Sequence, residues 1–355
     1  MTNKIKLSIF WLARASGMFA LSRRLTGAKV RILCYHGGCL GDESSYNPKL
    51  FCSSATLARR MQWLKNKGFD LVTLTEATTR MRTLPAGRPR LTTAITFDDG
   101  WYSTASELVP VLGQMNIPST LYLCTSHFVE GWSVPSVAVR YLIWKSGLQR
   151  AQLHGFGEGI DGDADLSTSS ARNAVANALV AAIDRAPAER AAKHALLEQL
   201  AACLEVPSSA LQLASRRFAY MNPSELLKLP AQQCEIELHG HIHHYPAGDI
   251  DRFTADLKVC RDTIVAAGLP TPTHYCYPSG NFDSAASAAL EALQVSTATT
   301  CLPGLVTHAT PTECHYLPRF LDGESVSTLE FEAEMSGFSD ILRRLLRRSN
   351  QLQPA

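Results

Sequence analysis

A parallel α/β sheet or barrel is the fold class this sequence predicts, and three observations predict it. Apolar strand-like runs alternate with helical stretches from about residue 30 to about residue 125. The same alternation resumes near residue 218. Two of the strand-like runs end in side chains that carry chemistry, TFDDG at 96–100 and ELHGHIHHYP at 237–246.

Each element follows in order. Val30–Tyr35 reads as a buried strand that ends at His36-Gly37-Gly38. Ala55–Lys67 reads as a helix, with Leu57, Met61 and Leu64 on one face and Gly68 as its stop. Leu71–Leu74 is a short strand, and Thr75–Met81 a helix with Thr75 as N-cap. Thr92–Phe97 is the strand that carries TFDDG. Thr104–Met115 is a helix with Pro110 in or near a kink, and Ser119–Cys124 is a strand. The pattern then breaks. His154–Asp165 is rich in Gly and Asp, and Ala171–Leu204 is alanine-rich and helical, so residues 126–217 read as a mostly helical insert or lid. Beyond it come a helix over Pro223–Leu229 capped by Asn222 and a strand over Cys234–Leu238. A helix over Asp251–Ala267 stopped by Gly268 and a strand over His274–Tyr277 follow. Ala285–Leu293 and Ser296–Thr300 close the series as helix and strand. No internal repeat is evident.

Composition bounds the function. A chain of 355 residues that is 46% hydrophobic can bury a core large enough for one α/β domain with an insert. A net charge of +2 leaves no electrostatic footprint for nucleic acid. No run of about 20 apolar residues predicts a transmembrane helix. None of the ten cysteines stands in a C-x-x-C pair, and many lie in apolar runs, so a reducing compartment is expected. That favours a cytoplasmic location, with peripheral contact at the inner membrane open, over a secreted form.

Residues 1–28 read as an amphipathic helix with Leu7, Phe10, Trp11, Met18, Leu21 and Leu25 at helical spacing. Such a helix either packs on the domain or lies on an anionic membrane surface. The basic stretch Ile341–Arg348, within a C-terminal helix and tail over 336–355, has the same two readings.

The two motifs at strand ends sharpen each other. Alone, DDG is as well explained by a polar turn. Four histidines, His239, His241, His243 and His244, fall within six residues after a strand. If the extension continues, period-2 alternation turns His239, His241 and His243 the same way. Two imidazoles and one carboxylate make a three-ligand site that leaves a position for water, which is the catalytic pattern. A second, adjacent carboxylate is then left to act as a base. The bland alternative is a histidine-rich polar loop.

TFDDG with a downstream His-x-x-x-His resembles the leading motifs of the polysaccharide deacetylases, the NodB-like family. VRILCYHGG resembles the opening strand of the branch that includes poly-N-acetylglucosamine deacetylases. Val109–Leu123, Tyr275–Gly280 (YCYPSG) and Leu317-Pro318-Arg319 resemble later motifs of that branch. The resemblance covers roughly 30–125 and 218–335, so a discontinuous barrel over 29–125 and 218–335 is expected. It implies a distorted (β/α) barrel of about seven strands that hydrolyses the N-acetyl group of an N-acetylated glycan or lipid-linked sugar. It implies Asp98 as general base and Asp99, His239 and His243 as ligands of a divalent metal. Zinc is the expected ion, and cobalt, nickel or iron suit the same donors.

Where many members have an arginine in the third motif, this chain has Cys276, and Arg319 is the candidate to steady Asp98 from another strand. For the general acid, His36, His308 and His315 are candidates, with His36 favoured because it ends the first strand. His244 is an alternative second ligand, and His241 a residue of the surrounding pocket. Tyr277, Pro278, Gly280 and Trp101 are expected to line the sugar site, and Tyr102, Tyr245, Trp132 and Trp144 either stack on sugars or simply pack. Two competing functions follow: a glycan-binding protein on a decayed barrel, motivated by Cys276, and a deformylase or other deacylase of sugar amides.

Overall fold

Eight parallel strands wrap into a distorted (β/α) barrel in the computed structural model, which describes residues 3–83, 90–130, 133–186, 189–307 and 313–351. They are β1 Arg31–Tyr35, β2 Asp70–Val72, β3 Thr92–Phe97 and β4 Ser119–Leu123, then β5 Cys234–Leu238, β6 His274–Cys276, β7 Thr297–Thr299 and β8 Phe320–Leu321. Seven of them form one path, β7-β6-β5-β4-β3-β1-β8. The eighth, β2, pairs with the start of β3, while β4 pairs with its end. The curl closes where Leu317 bridges Thr299: the Leu317 amide donates to the Ala298 carbonyl at 2.8 Å, and the Thr300 amide to the Leu317 carbonyl at 2.9 Å.

The strands are short, buried and rich in β-branched residues, as a sheet covered on both faces requires. The outer layer buries Leu57, Met61, Leu64, Leu112, Leu257, Ile264 and Leu290 against the barrel wall. The α/β alternation read from the sequence is therefore the fold, and the element ends shift by at most three residues. The helix after β2 runs Leu74–Thr83, so the expected cap Thr75 lies inside it and Thr73 is the cap, its hydroxyl accepting from the Glu76 amide. The helix after β5 runs Ile250–Ala266 with Asp249 as cap, and Pro223–Leu226 carries the predicted Asn222 cap in a full capping box.

One expectation is refined and one corrected. The helix after β3 carries its expected irregularity near Pro110: a π-helical stretch over Thr104–Leu108 runs directly into an α-helix over Val109–Gln114. Pro110 has no N–H to continue the first ladder, so it sits in the first turn of the second. The N-terminal segment is two helices, Asn3–Ala15 and Met18–Leu25, broken at Gly17 with φ 79°. Its apolar residues do not share one face: Phe10 is buried, while Trp11, Met18, Leu21 and Leu25 are exposed.

Between β4 and β5 the chain leaves the barrel. Helices Pro135–Ser146, Ser169–Arg185 and Arg190–Cys203 pack with an antiparallel hairpin, Arg150–Leu153 against Gly162–Asp165, around their own apolar cluster. Phe51, Trp101 and Cys124 extend that cluster toward the barrel mouth. Arg217 ties the two bodies: its guanidinium donates to Glu43, Asp42, the Tyr141 hydroxyl and the Ala210 carbonyl.

Candidate metal centre and active site

The carboxyl ends of β3 and β5 meet at the barrel mouth, and the residues beyond them make the site. β3 ends at Phe97, and the chain turns at once through Asp99 (φ 74°) and Gly100 (φ 101°). A left-handed conformation at a non-glycine residue costs about 1–3 kcal/mol and persists where the surroundings over-determine it. Gly100 admits nothing larger without displacement, since a Cβ there would lie 2.6 Å from Leu123 Cδ1. The turn sends the two aspartates to different neighbours.

Asp98 is held by Arg319. Two parallel N–H groups meet Oδ1 at 2.7 Å and Oδ2 at 2.8 Å, and the guanidinium has no solvent exposure (0%). Arg319 also donates to the Thr300 carbonyl and approaches Cys276 Sγ at 2.9 Å. The thiols of Cys34 and Cys276 both donate to Asp98 Oδ2, at 3.4 and 3.5 Å. Burial works against a charge on Asp98, but the Arg319 guanidinium outweighs it and holds the carboxyl well below the usual range. His36 lies beyond β1 with Nε2 3.8 Å from Asp98 Oδ2, and its buried Nδ1 has no hydrogen-bond partner.

Asp99 faces the other way. Its Oδ2 accepts the indole N–H of Trp101 at 2.8 Å. Its Oδ1 is buried and takes no hydrogen bond, yet His239 Nε2 and His243 Nε2 each stand 3.2 Å from it. The Nδ1–H of His239 donates to the Cys276 carbonyl at 2.9 Å, which leaves the Nε2 lone pair aimed at Asp99. A lone pair facing a carboxylate oxygen is repulsive unless a positive charge lies between them, either a metal ion or the proton of an imidazolium, toward which, against the effect of burial, Asp99 raises His243. The donor atoms of Asp99, His239 and His243 all fall within 4.8 Å of one another, so these three residues fit a divalent ion. Two further groupings, Cys34-His36-Asp98 and Asp98-His239-Cys276, also bring donors together. Burial pushes both thiols far up, which keeps them protonated and makes them hydrogen-bond donors to Asp98 instead of ligands.

The histidine run does not alternate as a strand would. β5 stops at Leu238, and Gly240 (φ 86°) bends the chain, so His239 and His243 converge while His241 turns to Thr125. The His241 and Ile242 amides donate to Asp256, which pins the loop. His244 is exposed beside the pair. His315 lies in the wall, with Nδ1 on the Ser287 hydroxyl and Nε2 on the Val295 carbonyl. His308 and Trp132 fall outside the described residues.

The aromatic expectations need correction. Trp101 is 2% exposed and packs edge-on against Phe51 and Tyr220, so its ring is closed to a sugar and its indole serves Asp99. Tyr277 and Pro278 are buried too, Tyr277 among Tyr245, Tyr275, Phe282 and Tyr316. Hydrophobicity places these rings: each fills a core position beside the site. Gly280 lies at the rim with φ 71°, where a Cβ would meet Cys301 at 2.7 Å. Tyr102 lies under the Arg216 guanidinium, and Trp144 packs with Tyr46 and Tyr141. The Cys34 thiol at Asp98 was not legible in the sequence, because Cys34 reads there as a small apolar residue of a strand, and Cys276 stood out only as the residue in place of the expected arginine.

A model of the polysaccharide deacetylase family matches residues 205–298, a stretch that contains His239, His243 and the 277–280 loop and follows Asp98 and Asp99. No curated protein matches the chain. Several solved structures share the fold. A Streptococcus pyogenes deacetylase, PplD, in complex with acetate aligns with 86% of this chain and 98% of its own at a TM-score of 0.55 and 13% identity. IcaB from Ammonifex degensii aligns with 87% of this chain and 97% of its own at 0.52 and 14% identity. A de-N-acetylase from Aggregatibacter actinomycetemcomitans aligns with 86% of this chain and 99% of its own at 0.51 and 14% identity. The chain therefore has the NodB-type (β/α) barrel of the deacetylases and carries a polysaccharide deacetylase match over 205–298.

Proposed function

We propose that this protein is a metal-dependent N-deacetylase that hydrolyses the acetamido group of an N-acetylated glycan in cell-surface polysaccharide metabolism. The single observation that carries the reading is the orphaned, buried Oδ1 of Asp99 with two imidazole nitrogens at 3.2 Å. The donor set suits zinc, and cobalt, nickel and ferrous iron share its preferences. A divalent ion held by Asp99, His239 and His243 supplies Lewis-acid polarisation of the amide carbonyl and acidifies water.

The other residues handle protons. Asp98 is ionised and oriented by Arg319, so its Oδ2 accepts the proton of the attacking water. The Cys34 and Cys276 thiols keep that oxygen in place, and Arg319 from the segment before β8 takes the role a third-motif arginine would have. His36 reaches the same oxygen from β1 and stands at the mouth, where it returns a proton to the departing amine. Trp101 holds the far oxygen of Asp99, so that Oδ1 stays aimed at the histidines.

The test measures acetate released from N-acetylglucosamine oligomers by protein of known metal content. Asp98→Asn is expected to lower turnover by about 10²- to 10⁴-fold while the divalent ion remains bound. Metal-free protein that binds glycan without releasing acetate would instead make it a binding module, and formate in place of acetate a deformylase.

A further inference from the structure

The N-terminal helix pair carries the densest run of exposed large apolar side chains along the described sequence. Phe10, Ala13 and Phe19 turn inward and pack on Ala333 and Phe338. Outward, Trp11 is 62% exposed, Leu12 60%, Leu21 54% and Leu25 69%, with Ile5 and Met18 beside them. These six are over a third of the sixteen exposed large apolar residues among those described, and all lie within the first 25 positions. A monomer does not present such a cluster without a use for it.

Charge says what covers the face. The first acidic residue of the chain is Asp42, while Lys4, Lys6, Arg14, Arg23, Arg24 and Lys29 precede it. Lys6 and Arg14 reach back to Glu330 and Glu332 on helix Thr328–Met335, which fastens the pair to the barrel. Thr26 and Arg31 tie its far end to the Ser336 and Met335 carbonyls at the start of β1. With Lys6 and Arg14 held by Glu330 and Glu332 and Lys29 by Asp340, the exposed Lys4 and Arg24 and the half-buried Arg23 give the apolar face a basic rim, which disfavours a second copy and complements an anionic surface. Beside it the last helix, Phe338–Gln351, adds the exposed Leu345, while its Arg344 is paired with Asp340. No described helix is long and apolar enough to cross a bilayer.

We propose that the helix pair Asn3–Ala15 and Met18–Leu25 docks the protein on an anionic lipid bilayer, with Trp11, Leu12, Leu21 and Leu25 entering the headgroup layer. Rings and leucines bury apolar area at the interface, and the arginines add attraction to acidic headgroups. The proposal is independent of the catalytic reading.

The experiment is co-sedimentation of the full chain with phosphatidylcholine vesicles, with and without about one-third phosphatidylglycerol. Binding to the anionic vesicles is expected, weakening as salt rises. The triple variant Trp11→Glu, Leu21→Glu, Leu25→Glu should lower the partition coefficient by about tenfold or more. The three positions are over half exposed, so the variant should keep the wild-type circular dichroism spectrum. As a second readout on protein with its leucines intact, brominated lipid should quench wild-type fluorescence more than that of Trp11→Tyr. A full chain that ignores anionic vesicles, a triple variant that binds as well, or quenching that Trp11→Tyr leaves unchanged would each overturn the proposal. So would a dimer that the triple variant dissolves without any vesicle binding, which would assign the face to a second copy.

Discussion

At the scale of single residues, the site depends on which oxygen each aspartate offers and to what. Asp98 spends both oxygens on Arg319 and keeps Oδ2 within reach of two thiols and His36, whereas Asp99 spends only Oδ2. Trp101→Phe should therefore keep the ring packing and lose the N–H that orients Asp99. The expected outcome is metal affinity lower by about 10- to 100-fold with a wild-type fold, read by metal titration and circular dichroism. Asp99, His239 and His243 were legible in the sequence as candidate ligands, because a carboxylate and two imidazoles at strand ends suit a divalent metal. The sequence did not make Trp101 legible, because an aromatic two residues after an aspartate predicts a sugar platform as readily as an orienting donor. Only burial distinguishes them.

At the scale of elements, strands were readable where both faces are buried, since a short run such as Thr92–Phe97 has no other place to go. The conditional alternation of the histidine loop fails because Gly240 and its left-handed backbone end it, and a lone glycine after a strand does not announce which way the chain bends; His239 and His243 nonetheless converge. The insert depends on a tertiary contact that no local pattern signals. Arg217 and Glu43, 174 positions apart, form a buried pair at 2.6 Å. Arg217→Met would leave the Glu43 carboxylate buried and unpaired, at a cost of about 3–5 kcal/mol. Chemical denaturation should show that loss, and Glu43→Gln in the same chain should recover part of it, because the stranded charge is then gone.

For the molecule as a whole, buried titratable groups away from the mouth set how stability follows pH. His274 begins β6, with its ring between the Thr75 and Thr297 hydroxyls. Burial, helped by Arg82, lowers its pKa from 6.5 to about 4. The folded state thus binds the proton more weakly than the unfolded one. The contribution is complete above about pH 6.5 and disappears as pH falls through about 4, amounting to about 3 kcal/mol. Denaturation midpoints of the wild type and His274→Gln between pH 7 and pH 4 should converge as the pH drops.

The far end of the terminal helix pair is tied at Arg31, the start of β1, and the mouth opens at the other end of the strands. A strand of five or six residues spans about 20 Å, so that tie lies about that far from Asp98 and Asp99 along the barrel. A bilayer met at that end would leave the mouth off the surface, where a polymer several residues long reaches it and a sugar joined directly to a headgroup does not. The placement of one hairpin would then act as a gauge of substrate length, selecting glycans by reach before any contact at the site discriminates among them.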